Sequence, residues 1–267
     1  MTEDIERELE KAVEVLERGG VVVYPTETVY GLGADALSER AVRRVFELKG
    51  RDFKKPISVA VSSFEMLESV AIVESAEVEE ILNALLPGPV TVLLPRRAVL
   101  PEILTGGSPL VGVRMPEHEI ALRLITAFGR PLTATSANLS GKKPPASFED
   151  VEIEADFKLN GGRCPYGEPS TVVCLSVSAF SAVSEVSAAS SALAASATGT
   201  GSGGSGVISS QGGLQGKAEK ERGRERELNA VERLVLRRGA GYERVLHILR
   251  NSSLGKRIHG VSVSELR

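Results

Sequence analysis

Four short stretches carry the residue types from which a reaction site can be built. Lys49-Gly50-Arg51-Asp52-Phe53-Lys54-Lys55-Pro56 holds four cations within seven residues. A polyphosphate there would meet several charge-assisted donors. On charge alone, the same cluster also describes a solvated helix end, with Lys49 facing the C-terminal dipole. Ser136-Ala137-Asn138 follows the apolar run Leu132-Thr133-Ala134-Thr135. If the chain stays extended, Ser136 and Asn138 share a face with Ala134, whose small side chain leaves room. In Val111-Gly112-Val113-Arg114 the valines take one face, and Gly112 and Arg114 the other. Glycine lets an anion come close to the backbone, and arginine grips it with a planar fork. Tyr24-Pro25-Thr26-Glu27-Thr28-Val29-Tyr30 sets hydroxyls directly after a buried-looking strand, where open α/β sheets hold ligands.

Other chemistries find no support. No Ser/His/Asp or Cys/His set suggests itself, and no carboxylate pair stands out. His118, His247 and His259 lack metal-ligand spacing, and Cys164 and Cys174 form no CxxC pair, so no metal site made of protein side chains is expected. Gly31-Leu32-Gly33-Ala34-Asp35-Ala36 matches a relaxed dinucleotide fingerprint, with Asp52 near the acidic position. In that motif the glycines open the helix, whereas here the helix starts at Ser38. The remaining inventory of cations, hydroxyls and amides suits phosphoryl or nucleotidyl transfer driven by positioning and charge stabilisation.

The elements that must position these groups alternate along residues 1–175. Thr2 caps a helix with Ile5, Leu9, Ala12, Val13 and Leu16 on one face, ended by Gly19-Gly20. Strands are expected at 21–24, 57–61, 91–94, 110–114, 132–135 and 171–175. Helices are expected from Ser38 to Gly50, in two stretches ending near Leu86, and from Pro116 to Phe128. From residue 176 to 216, Ser, Ala and Gly make up 28 of 41 residues. Such a stretch cannot bury enough apolar surface to offset chain entropy and reads as disordered. Residues 217–227 carry nine charges in eleven positions and read as an exposed helix. A strand at 234–237 and a helix at 241–250 follow. The expectation is one domain over residues 1–267, interrupted by a low-complexity insertion at about 176–230.

Apolar residues make up 42% of the 267, charged residues 25%, and the formal charge is −3. That mix is ordinary for a soluble globular protein and lacks the basic excess of a dedicated nucleic-acid binder. No run approaches a membrane span, and the acidic amphipathic N-terminus is no signal peptide, so a cytoplasmic location is expected.

The motifs taken together resemble the signature of YrdC-type threonylcarbamoyl-adenylate synthases. The resemblance rests on Tyr24-Pro25-Thr26-Glu27-Thr28-Val29-Tyr30-Gly31-Leu32-Gly33, Lys49-x-Arg51 with Lys55-Pro56, and Leu86-Pro87-Gly88-Pro89-Val90-Thr91. Val113-Arg114-Met115-Pro116, Ser136-Ala137-Asn138 and Ser170-Thr171-Val172-Val173 follow in the family's order, and Leu236-Arg237-Arg238-Gly239 resembles its closing element. It implies a YrdC-like α/β fold: a twisted, open mixed sheet with flanking helices and a concave basic cavity. It also implies a nucleotidyltransferase that joins L-threonine, bicarbonate and ATP, with Mg²⁺, into threonylcarbamoyl-AMP and pyrophosphate. A downstream transferase complex would pass the threonylcarbamoyl group to adenosine in tRNA.

Carried over by position, Lys49, Arg51, Ser136 and Asn138 match a polar tetrad at the nucleotide. Thr26, Arg114 and Ser170 match threonine-side positions, while Thr105 and Arg237 match others near the nucleotide and its phosphates. The departures are Asn160 where an aspartate is frequent, Ala146 in place of a hydroxyl residue, Cys174 after the STVV element, and the long insertion. Replacing residues 177–230 with a short turn is expected to retain activity. Two rival readings stand beside the synthase: a carbamoyl-adenylate-forming module, which would not need threonine, and a non-catalytic double-stranded RNA or tRNA binder, which would show a steep salt dependence.

Overall fold

The computed structural model describes residues 3–176 and 234–254. The expectations for Thr2, the low-complexity insertion and the charged run at 217–227 fall outside them. Among the described residues nine strands form one mixed sheet. They are β1 (Val22–Tyr24), β2 (Gly31–Gly33), β3 (Ser58–Ala60), β4 (Val90–Pro95), β5 (Leu110–Arg114), β6 (Leu132–Ser136), β7 (Phe157–Lys158), β8 (Thr171–Cys174) and β9 (Val235–Arg237). Their order is β7-β1-β2-β6-β3-β5-β4-β8-β9. Pairs β1–β7, β3–β5 and β4–β8 are parallel and the others antiparallel.

Among the described residues seven α-helices flank the sheet: α1 (Glu3–Glu17), α2 (Glu39–Lys49), α3 (Phe64–Val70), α4 (Ala76–Leu85), α5 (Glu102–Thr105), α6 (Glu119–Phe128) and α7 (Tyr242–Asn251). Local chemistry accounts for their ends. Ser38, Ser63 and Ser75 each accept a backbone N–H at a helix start, and Gly50 takes the left-handed conformation that closes α2. The helix expected from Pro116 begins three residues later, because its entry cap is His118.

Period-two alternation divides the core. Val21 and Val23 join one apolar cluster with side chains of α2, α3 and α4. Val22 and Tyr24 join a second with α1 and α6. Among the described residues this second cluster reaches as far as Ala60 of β3, and beyond it the same face, at Ser58, Thr91, Leu93, Arg114 and Val172, is where the site forms. No helix among the described residues is long and apolar enough to cross a membrane.

The two glycines that match the relaxed dinucleotide fingerprint have a packing role. Gly31 and Gly33 lie in β2 opposite Tyr24 and Val22. A Cβ on either would lie within 3 Å of the Tyr24 ring, so the aromatic ring rests directly on the strand. The two described segments meet at the sheet's far edge, where β9 pairs with β8 and Cys174 N–H donates to Leu234 C=O at 2.8 Å.

Candidate functional site

On the open sheet face, every second residue of five strands points the same way: Ser58 of β3, Thr91 and Leu93 of β4, Arg114 of β5, Ala134 and Ser136 of β6, and Val172 of β8. With neighbouring loops they line a cavity of about 360 Å³. Gly112 lies beneath it, where a Cβ would come within 2.5 Å of Ser58 Oγ and fill the floor. Arg237 reaches the cavity through an irregularity in the sheet. Val172 pairs with Arg237 but Val173 with Val235, so one extra residue enters β9 at this point. That bulge turns Arg237 to the cavity, although Val235, two residues earlier, packs on the core.

The lining contains Arg51, Arg114, Lys142 and Arg237 and no carboxylate. Of the residues singled out from sequence, Thr26, Arg51, Arg114, Ser136, Asn138, Ser170 and Arg237 line it together. Arg51 is held by its own loop, donating to the carbonyls of Lys55 at 3.0 Å and Pro56 at 2.9 Å. Arg237 donates to Ser170 C=O at 2.7 Å, and Ser170 Oγ lies 2.8 Å from Thr91 Oγ1. The Asn138 amide donates to the carbonyls of Leu139 and Lys142, which folds the 138–142 loop over the rim. Tyr24 closes one wall. Its hydroxyl donates to Thr133 C=O at 3.3 Å, and burial pushes its pKa up to about 12, so it remains a neutral donor.

Two singled-out residues are absent from the lining. Thr105 ends α5, is buried, and donates back to Glu102 C=O at 3.3 Å. Lys49 is neither solvated at the end of α2 nor in the cavity. It is 2% exposed, and its ammonium donates to the carbonyls of Ser136 and Asn138, the latter at 2.7 Å. It sits behind the turn whose front lines the cavity. Burial, with the Arg51 charge, pulls its pKa down to about 8.

Arg114 also differs from a free cation. Its Nη2 donates to Glu27 Oε1 at 2.7 Å and its Nη1 to Thr28 Oγ1 at 3.0 Å. Glu27 is 3% exposed, and burial pushes its carboxyl above the usual range against the opposing pull of Arg114. Residue type and motif alone assign Glu27 no role. The signal lies in its position: a carboxylate soon after a buried strand needs a cationic partner, and Arg114 ends another such strand.

The Sua5_yciO_yrdC family model, described as Telomere recombination, matches residues 14–183. This chain belongs to the Sua5/YciO/YrdC family. Threonylcarbamoyl-AMP synthase of Pyrococcus abyssi is 46% identical over 165 residues, which are 60% of this chain and 48% of that protein. A putative threonylcarbamoyl-AMP synthase of Methanocaldococcus jannaschii is 34% identical over 188 residues, 67% of this chain and 88% of the relative. The match therefore spans about half of the Pyrococcus protein and most of the Methanocaldococcus one. Among solved structures, P. abyssi Sua5 complexed with L-threonine is 44% identical with a TM-score of 0.60, over 62% of this chain and 50% of that one. E. coli YciO is 26% identical with a TM-score of 0.59, over 64% and 85%. The expected twisted, open mixed sheet with flanking helices is that of these Sua5/YciO/YrdC structures.

The departures from the Sua5/YciO/YrdC pattern can now be placed. Asn160 Oδ1 accepts the Gly162 N–H at 2.9 Å, a bond that an aspartate oxygen would also make. The adjoining Gly161 is required by packing, since a Cβ there would lie 2.5 Å from the Pro25 ring. Cys174 ends β8 beside Leu93 and outside the lining, and Ala146 likewise lies outside it.

Proposed function

We propose that this domain is a threonylcarbamoyl-AMP synthase, a nucleotidyltransferase acting on L-threonine, bicarbonate and ATP. The observation that carries the reading is the convergence of three arginines with Ser136, Asn138, Ser170 and Thr26 on one carboxylate-free cavity. Its similarity to a Sua5 that is complexed with L-threonine supports the amino-acid half.

Threonine carboxylated on nitrogen is a carbamate. One of its oxygens attacks the α-phosphorus of ATP, the bond from that phosphorus to the bridging oxygen breaks, and pyrophosphate leaves. Two anions must approach, and at 4 Å such repulsion is about 4 kcal/mol in a partly screened site. Arg51 and Arg237 flank the cavity and offset it, Arg114 receives the threonine carboxylate, and Ser136 and Asn138 orient the nucleotide. Lys49 supports that last pair from behind. The lining offers hydroxyls and no carboxylate, so Mg²⁺ would enter as a companion of the triphosphate and would supply charge that offsets that of the phosphates. The carbamate already carries its charge, so no strong general base is required. The product then passes to a tRNA-modifying transferase.

The test is incubation of the chain with labelled bicarbonate, threonine and Mg-ATP. The expected result is a labelled adenylate whose formation, like pyrophosphate release, depends on threonine. An adenylate formed equally well without threonine, or no adenylate at all, overturns the reading.

A further inference from the structure

Two residues of the turn after β1, Glu27 and Thr28, are fully enclosed and do not line the cavity, yet both grip an arginine that does. Thr26 Oγ1 donates its only proton to Val29 C=O at 2.7 Å, so in its 2.8 Å contact with Thr28 Oγ1 it must accept. Thr28 therefore donates to Thr26 and accepts from Arg114 Nη1 at 3.0 Å. The chain runs one way, from Arg114 through Thr28 and Thr26 to the Val29 carbonyl. The second arm of the fork, Nη2, is fixed on Glu27 Oε1 at 2.7 Å.

Arginine has many rotamers, and a cation that must meet a substrate carboxylate loses affinity if it has to be ordered on binding. Here both terminal nitrogens are already committed to one short turn. Among the described residues neither Glu27 Oε2 nor Arg114 Nε has a hydrogen-bond partner, so the Glu27–Arg114 bond is single-pronged and its orienting effect passes through Oε1. The Arg114 charge pulls against the burial that raises the Glu27 carboxyl.

We propose that Glu27 and Thr28 are positioning residues that aim Arg114 at the threonine carboxylate, and through the hydroxyl chain lock Thr26 in the same wall. The proposal rests on reading Arg114 as the threonine-side cation. It makes the turn after β1 the element that sets amino-acid affinity, while the Lys49-supported turn serves the nucleotide.

The experiment measures KM for threonine, KM for ATP and kcat on the full chain and on Glu27→Ala, Glu27→Gln and Thr28→Val, each checked for a wild-type unfolding midpoint. Glu27→Ala is expected to raise the threonine KM tenfold or more and leave the ATP KM within twofold. Glu27→Gln keeps an acceptor at Oε1 and is expected to restore most of the loss. Thr28→Val, of the same shape without the hydroxyl, is expected to raise the threonine KM about threefold to tenfold. Should Glu27→Ala fail to fold, Thr28→Val carries the test. An unchanged threonine KM in Thr28→Val, and in Glu27→Ala where that variant folds, overturns the proposal, as does an equal rise in both KM values. Absence of threonine-dependent adenylate from the wild-type chain is the separate failure of the functional reading. In that case a threonine titration by calorimetry on wild type and Thr28→Val decides the positioning role.

Discussion

The two ends of the site solve one problem differently. Arg114 and Lys49 are both buried cations, 8% and 2% exposed. Arg114 faces a carboxylate, whereas Lys49 donates to backbone carbonyls, those of Ser136 and Asn138. A carboxylate cancels the charge and aims the fork. Carbonyls leave the charge in place and fix a turn. The first arrangement prepares a receptor whose shape matters more than its net charge, and the second braces a loop. Burial therefore says little about a cation's role until its partner is known.

The largest effect is expected where the pair is split. Arg114→Ala leaves the Glu27 carboxylate enclosed and alone, at a cost of about 3–5 kcal/mol in chemical denaturation. Adding Glu27→Ala to it should recover much of that loss, and no recovery would mean that packing, not charge, dominates this end. At the other end, Lys49→Met keeps the stem but removes the donor of Asn138 C=O, while Ser136 C=O still accepts the Asn138 N–H at 2.9 Å. About 1–3 kcal/mol is expected from unfolding curves, with pyrophosphate release reduced to near background because the Ser136–Asn138 turn loses its brace. Near-normal turnover in a folded Lys49 variant would contradict this placement.

Proton linkage offers a finer contrast. Lys49 holds its proton less tightly in the folded chain, about 8 against 10.5. Below pH 8 both states are protonated and the burial penalty on the charge is present in full. As pH rises through about 8 towards 10.5 the folded lysine loses its proton first, and the penalty is relieved. Relative to Lys49→Met, the wild type should thus gain about 2 kcal/mol in urea unfolding between pH 7.5 and 9.5. A flat difference would show that the carbonyls hold the proton in place. Glu27 has the opposite sense: its raised carboxyl makes folding more favourable as pH falls through its folded value. The smallest effect is expected away from both cations. Asn160→Asp keeps the acceptor for Gly162 N–H and should alter stability by less than about 0.5 kcal/mol, with unchanged KM values.

Much of the fold was legible because its signals are local. The Ser38 cap and Gly50 stop of α2, the Ser75 cap of α4, and the β-branched runs of β1 and β5 each announce themselves within a few residues. β2 did not, since Gly31-Leu32-Gly33 has no strand propensity of its own. Its glycines make sense only with the Tyr24 ring across the ladder. The short β7 was missed for a similar reason, because only pairing with β1 defines it. Several of the singled-out side chains also meet, as alternation in β5 and β6 required. The roles of Lys49, Thr105 and Glu27 were hidden in the sequence.

By itself the chain determined its helix boundaries, most of its strands and the set of residues able to handle phosphate and carboxylate. These depend on caps, periodicity and residue type, which act over a few positions. Tertiary structure alone decided which cation faces the cavity, which one supports it from behind, and which is already matched by a carboxylate. Those outcomes depend on contacts between residues about ninety positions apart, and no local propensity encodes where a long flexible side chain finds its partner.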